Sequence, residues 1–244
     1  MDVSIVITAY NYARYIGDCL DSCLQQSGTS LKHEVIVVDD GSTDTTPAIL
    51  AARADAGLRC VRTANAGIEW ASNLGFELAR GRYIVRVDAD DRLHPDYLAN
   101  VEHSLHGGAG FIYADYNLID EAGAVTDSMN LPDFDEHEIR SRGDFLATGT
   151  LFAAPVLRQA GGYTTTVRNS GLENFELMLR LLQSGVRGLH VPRRLFDYRR
   201  HAANLSETRR AHIIAHGHDL CRARGLGGYR TNQFHPYQLK LEVA

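Results

Sequence analysis

Three aspartates within four residues, Asp88, Asp90 and Asp91 of "VDADD", form the densest cluster of reactive groups in this chain. At the end of an extended strand side chains alternate, so Asp88 and Asp90 project to one side while Asp91 begins the next turn. Like charges this close repel, and burial adds to the cost unless a cation neutralises them. Hard oxygen ligands suit Mg²⁺ or Mn²⁺, which keep waters and phosphate oxygens in their shell. A calcium loop of the EF-hand type is excluded, because its sixth position is Leu93 and its twelfth is Ala99, where glycine and glutamate are needed. A helix cap before Pro95 needs fewer acids, and His94 stands nearer for that job. The pattern points to a site for a metal and a diphosphate.

Two further polar clusters follow apolar runs. "TAYN" (Thr8 to Asn11) and "VDDGSTD" (Val38 to Asp44) contain no G-x-G-x-x-G, and the chain has no G-x-x-x-x-G-K-[ST], which disfavours dinucleotide and P-loop readings. An acid beside a tyrosine can hold a nucleobase instead, with the base stacked on Tyr10 and an imide N–H donating to a carboxylate. "DDGS" is also simply a good turn. "NAGIEWASNLGFELA" adds Asn65 and, inside an apolar helix, Asn73, whose burial demands a hydrogen-bonding partner, ligand or protein. "SGLENFELMLRLLQSG" has Leu172, Phe175, Met178, Leu179 and Leu182 at helical spacing, with Glu173 and Asn174 in the first turn. Glu173 there either complements the helix dipole or faces a cleft.

The elements that must position these groups alternate. "VSIVIT", "EVIVV", Arg59 to Thr63 and "YIVRV" read as strands; Tyr15–Gln25, Pro47–Ala54 and Ile68–Ala79 read as helices. Such alternation specifies a mostly parallel sheet covered by helices, whose carboxyl edge is where ligands bind. After a helix from Pro95 to Leu105, the spacing predicts a strand at "FIYADY", a hairpin around "DEAGAV", a mobile surface loop over 130–145, a strand at "TGTLFAA", and a pair of strands, "VRGLHV" and "RLFDYRR".

A net charge of −5, with no basic stripe before residue 193, argues against a nucleic-acid binder. Cys19 and Cys23 lie four apart in a helix, the spacing of neighbours on one face, so the four cysteines read as free thiols of a reducing compartment. No segment approaches the about 20 apolar residues of a membrane span. The expectation is a soluble cytoplasmic chain. From Arg209 six basic residues stand against Asp219 and Glu242, with His212 and His216 four apart; they are too sparse for a polybasic or metal site. That tail leaves peripheral contact with the inner face of a membrane, or a homodimer, open.

The series "VSIVITAYNYARYI", "EVIVVDDGSTD", "NAGIEWASNLGFELARGRYIVRVDADD" and "GLENFELMLRLLQSG" resembles the family 2 glycosyltransferases of GT-A fold, over roughly residues 2–205. The resemblance implies an α/β fold with a mostly parallel, Rossmann-like sheet and a smaller acceptor-side region. It also implies a nucleotide-diphosphate sugar donor, Mn²⁺ or Mg²⁺, and inverting transfer to the hydroxyl of a saccharide or lipid-linked acceptor. Carried over, Thr8, Ala9 and Tyr10 line the base pocket, Asp40 accepts from a uracil-like imide, and Asp88 lies near the ribose. Asp90 and Asp91 then hold the metal, with His201 of "YRRHAANLS" beside it. The corresponding halves are 1–105 for the donor and 106–205 for the acceptor, followed by a helical and basic tail, 206–244.

Two positions depart from the family pattern. The first turn of the late helix usually carries Glu-Asp, with aspartate as base, and here it is Glu173-Asn174; an amide cannot take a proton at neutral pH. Glu173 becomes the candidate base. Ser72 stands where relatives often have arginine. Two other readings stay open: a non-catalytic module that binds nucleotide sugars, motivated by Asn174, and a nucleotidyltransferase.

Overall fold

The computed structural model describes residues 1–53, 57–142, 146 and 148–229. Strands β1 (Val3–Ala9), β2 (His33–Asp39), β3 (Leu58–Arg62) and β4 (Tyr83–Asp88) lie parallel in the order β3-β2-β1-β4. Every residue of β1 is buried. That matches a β-branched run covered on both faces. Helices α1 (Ile16–Leu24), α2 (Thr46–Ala51) and α3 (Ile68–Leu78) supply the crossovers. Gly75 of α3 lies so close to β1 that a Cβ there would come within 2.2 Å of a Val6 methyl, so any larger residue would push the helix off the sheet.

Beyond β4 the sheet continues without a break. β5 is Arg92–Leu93, and α4 is Tyr97–Glu102, shorter than the Pro95–Leu105 reading. β6 (Phe111–Ile119) and β7 (Val125–Met129) form the expected hairpin, closed where the Asp120 N–H donates to the Ala124 carbonyl. After α5 (Glu136–Arg142) comes β8 (Leu151–Ala153), which runs antiparallel between β4 and β6. α6 (Ala154–Gln159), α7 (Glu173–Gln183), β9 (Gly188–Arg199), α8 (Leu205–Thr208) and α9 (Arg210–Ala223) complete the chain. One nine-stranded sheet, β3-β2-β1-β4-β8-β6-β9-β5 with β7 flanking β6, therefore crosses the boundary expected near residue 105.

Three expectations need correction. "VRGLHV" and "RLFDYRR" are one strand, parallel to β6, whose register slips between Val191 and Arg194. Pro192 lies in the slip; it has no N–H for the ladder, so the strand bulges there and goes on. The 130–145 stretch is not simply a surface loop. Leu131 and Ile139 are buried, Asp115 accepts the Leu131 N–H, and α5 packs against α7; residues 143–145 lie outside the described residues. His94 caps no helix: its Nε2 meets Asp197 Oδ1 at 2.8 Å, beside Arg92 and Asn117. α8 and α9 lie at the α7 end, where Ile213, Cys221 and Tyr229 form a small apolar cluster with Leu172, Phe175 and Leu179. Residues 230–244 of the tail lie outside the described residues. Among the described residues no helix is long and apolar enough to cross a membrane.

Candidate active site

In the register of the parallel strands Thr8 is level with Val38 and with Asp88, so the ends of β1, β2 and β4 deliver their polar residues to one edge. A cleft opens there in two parts. The outer cavity, about 570 Å³, is lined by Thr8, Ala9, Tyr10, Asp40, Asn65 and His201, among others. The inner one, about 80 Å³, includes Arg86, Asp88, Asp90, Glu173, Asn174 and Ser206. Thr8, Tyr12, Ile68 and Leu205 belong to both, so the two cavities adjoin.

The outer wall is built by loops that clasp one another. Asp40 accepts the Ala66 N–H on Oδ1 at 2.8 Å and the Gly67 N–H on Oδ2 at 2.9 Å, and its carbonyl accepts from Asn65 Nδ2. Its first duty is thus to hold the loop entering α3. Gly41 makes this approach feasible: its φ is +79°, and a Cβ there would lie 2.8 Å from the Asn65 nitrogen. Asn11, at φ 62°, accepts the Thr43 and Asp44 N–H groups on Oδ1 and so joins the ends of β1 and β2. Tyr10 is 43 % exposed at the cavity, a ring face free to stack.

The three aspartates diverge. Asp90 Oδ2 lies 3.0 Å from His201 Nε2 and accepts from Asn204 Nδ2 at 3.0 Å. The His201 ring stacks on Tyr15, with centroids 4.9 Å apart. Asp91 turns the other way, and its Oδ1 accepts the Arg199 N–H at 2.8 Å. Burial, then the charges of Asp90 and Asp88, push the Asp91 carboxyl well above the ordinary range. Burial also raises Asp88, to about 6, against the pull of Arg86. Arg199, buried, ties the cluster down: Nε donates to the Asp90 carbonyl, Nη1 to those of Asp120 and Glu121, and its guanidinium lies 4.9 Å from the Tyr15 ring centre.

The three expected metal ligands, Asp90, Asp91 and His201, are therefore placed differently. Asp90 and His201 converge while Asp91 faces backbone, and among the described residues no three His, Cys, Asp or Glu side chains are grouped to hold a metal ion. A carboxylate and an imidazole still fit a cation of the Mn²⁺ type, whose remaining positions phosphate oxygens and water can fill.

The first turn of α7 forms the opposite wall. Glu173 is buried; its Oε1 accepts from Arg86 Nη1 at 2.9 Å, and its Oε2 has no hydrogen-bond partner among the described residues. Arg86 Nη2 sits 3.1 Å from Asp88, and the guanidinium lies 5.4 Å from the Tyr163 ring centre. Asn174 Oδ1 accepts the Tyr163 hydroxyl at 2.6 Å. Glu69 of α3 accepts the N–H groups of Asn169 and Ser170, which aims the turn leading into α7. Burial and then the Glu173 charge raise the Glu69 carboxyl.

Of the candidate residues, Asp91 and Asn73 line neither cavity. Asn73 Nδ2 donates to the Tyr163 carbonyl and its Oδ1 accepts the Tyr163 N–H, both at 2.8 Å, so its amide is committed to protein on both sides. It clasps α3 to the Tyr163 backbone. The Ser72 hydroxyl, fully buried beside it, has no partner among the described residues. Arg86, Arg199, Asn204, Glu69 and Tyr163 were not foreseen. Arg86, a lone arginine inside the apolar run "YIVRV", was the one visible signal, because a buried strand admits such a charge only with a partner.

Comparison with known proteins places this architecture. The family model "Glycosyl transferase family 2" matches residues 4–149. A succinoglycan biosynthesis protein, ExoO, of Rhizobium meliloti (strain 1021) is 42% identical over 110 residues, covering 44% of this chain and 31% of the relative. Chondroitin synthase of Escherichia coli is 32% identical over 188 residues, covering 75% and 27%. The chain thus spans about a third or less of the length of these relatives. Among solved structures, S. aureus TarS 1–349 in complex with UDP-GlcNAc superposes with TM-score 0.74 at 16% identity, covering 91% of this chain and 66% of that one. Mannosyltransferase PcManGT from Pyrobaculum calidifontis, in complex with GDP-Man and Mn²⁺, gives 0.68 at 24%, covering 90% and 64%. With a family model covering more than half its length and a sheet that superposes on GT-A glycosyltransferases, the chain belongs to glycosyl transferase family 2.

Proposed function

We propose that this chain transfers a sugar from a nucleoside diphosphate donor to an acceptor hydroxyl, with inversion, in the synthesis of a polysaccharide or glycolipid. The carrying observation is Glu173 Oε2, a buried carboxylate oxygen with no hydrogen-bond partner among the described residues, on a side chain that lines a cavity together with Asp88 and Asp90, next to one of nucleotide size. The relatives named for succinoglycan and chondroitin synthesis support a polysaccharide product.

In this reading Tyr10 stacks on the base, Thr8 and Ala9 line its pocket, Asn65 supports it, and Asp40 offers its remaining lone pairs to an imide, which favours UDP. Asp88 faces the ribose side. Asp90 and His201 would hold a divalent ion, which when bound supplies positive charge to the leaving diphosphate. Arg86 pins Oε1 of Glu173, leaving Oε2 to take the acceptor's proton as its oxygen attacks the anomeric carbon and the bond to the diphosphate breaks. Asn174 cannot do this; its carbonyl already accepts from Tyr163.

Incubating the chain with Mn²⁺ and UDP-sugars, with and without saccharide acceptors, and measuring released nucleoside diphosphate tests the reading. Glu173→Gln should lower turnover by about 10²–10⁴-fold and leave donor affinity within a few-fold. Donor binding without turnover in the parent chain would instead identify a non-catalytic binding module, to which Asn174 would be native. Released pyrophosphate would identify a nucleotidyltransferase.

A further inference from the structure

The first turn of α7 has no side-chain cap of its own, because the residue before it is Leu172. Glu69 aims the turn that leads into the helix, but it touches neither Glu173 nor Asn174 by hydrogen bond. The side chains of that first turn are fixed from another part of the chain, by Tyr163. Tyr163 is 2 % exposed and is itself immobilised. Its N–H and its carbonyl are both taken by the Asn73 amide at 2.8 Å, and its ring meets the Phe76 ring edge-on, with centroids 5.3 Å apart. Gly162 before it has φ +66°, and a Cβ there would lie 2.4 Å from Asn73 Oδ1, so the clasp closes only over a glycine.

From this rigid post one side chain reaches both residues of the turn by different routes. The hydroxyl donates to Asn174 Oδ1 at 2.6 Å. The ring centre lies 5.4 Å from the Arg86 guanidinium, inside the roughly 6 Å over which a cation is attracted to an aromatic face. That guanidinium in turn gives Nη1 to Glu173 Oε1 at 2.9 Å. Tyr163 therefore holds Asn174 directly and Glu173 through Arg86.

The amide at position 174 suits this arrangement. Glu173 and Asp88 already share the Arg86 guanidinium. A carboxylate at 174 would add a like charge beside Glu173, whereas an amide oxygen accepts the same phenolic hydrogen bond and adds none.

We infer that Tyr163 and Asn174 are positioning residues for Glu173, and that Asn174 anchors the first turn of α7 to the Tyr163 hydroxyl instead of marking a base that was lost. The inference rests on the reading of Glu173 as the base and goes beyond it, by assigning what holds that carboxylate in register. A displacement of about 1 Å at a reacting group can cost on the order of 100-fold in rate, so a post of this kind acts on turnover more than on donor binding.

Steady-state kinetics of the full chain with Mn²⁺, using the UDP-sugar and saccharide that the parent turns over, test this. Tyr163→Phe keeps the ring beside Arg86 and loses only the hydroxyl; kcat should fall about 10–100-fold with donor KM within about twofold. Asn174→Ala, which leaves Tyr163 in the core and so serves if the phenol is needed for folding, should match that fall. The double variant should be no worse than either single one, because both cut the same link. In the Glu173→Gln background Tyr163→Phe should change kcat by less than about twofold, since no base remains to be positioned. An unchanged kcat in Tyr163→Phe and Asn174→Ala, or a fall that persists in full without Glu173, overturns the inference and leaves Glu173 as the base. Asn174→Asp should turn over no faster than the parent; a rise beyond about threefold identifies 174 as a vacated base position and overturns the inference. Absence of turnover in the parent with every donor and acceptor overturns the reading of Glu173 and this inference together.

Discussion

Asp40 and Glu173 face one cleft from opposite walls and are held in opposite ways. Asp40 directly follows a parallel strand, and both its oxygens take backbone N–H groups of the loop before α3. Glu173 begins a helix and depends on one guanidinium 87 residues away in sequence, with an oxygen left over. The first wall is built from backbone, which any chain of that topology supplies. The second rests on a specific buried ion pair, which is costly to leave half-made. The Asp40 wall should therefore tolerate conservative changes that the Glu173 wall does not.

Arg86→Met is the strongest way to break this contrast. It strands Glu173 and Asp88 without their cation, and should destabilise the chain by about 3–5 kcal/mol in denaturant titration. Turnover should fall at least as far as in Glu173→Gln. A loss below about 1 kcal/mol would mean that the pair is not the support of that wall.

Asn73→Ala comes next, since it orphans the buried N–H and carbonyl of Tyr163, whose hydroxyl holds Asn174. We expect about 1–3 kcal/mol by urea unfolding, with donor affinity unchanged because Asn73 lies outside the cleft. A specific loss of donor affinity would return Asn73 to the binding site.

Asp197 lies away from both walls and sharpens the comparison through pH. Burial would raise its carboxyl, but hydrogen bonds from His94 and Asn117 and the charges of His94 and Arg92 outweigh this and bring it to about 2, below the ordinary 3.8. A carboxyl lowered on folding stabilises the fold above the unfolded value, and that contribution disappears as pH falls from about 4 to about 2. The melting temperature of Asp197→Asn should accordingly lie below that of the parent at pH 5 and converge with it by pH 2. A gap that stays constant over that range would show the ion pairs to be irrelevant.

Asp40→Asn should have the smallest effect, about 1 kcal/mol, because the amide keeps one of the two backbone hydrogen bonds. Parallel titrations with UDP and GDP separate its two roles. A selective loss for uridine shows contact with the imide, whereas equal losses show a loop clasp alone.

Much of the first 105 residues was legible because the pattern there is local. Continuous β-branched runs, helical spacing, and polar turns at successive strand ends needed only the rule that such units stack in parallel. The hairpin at "DEAGAV" was legible for the same reason. The single β9 was not: a proline inside a strand reads as a break, and only pairing with β6 carries the strand past it. Asn73 illustrates a different limit. Its need for a partner was plain, but its partner is 90 residues away. Asp90 and Asp91 are adjacent in sequence and identical in type, yet one faces His201 and the other a backbone N–H.

The sequence by itself determined the α/β class, the carboxyl edge as the site, and the residue types available there, because strand alternation and turn chemistry act over a few neighbours. It also determined that the residue after Glu173 can accept no proton. Only the tertiary structure decided that Arg86 would be consumed by Glu173 and Asp88, and that Asp91 would turn from the cleft. Those outcomes depend on residues brought together across as many as 108 positions by strand order and helix packing, a distance over which no local pattern carries information.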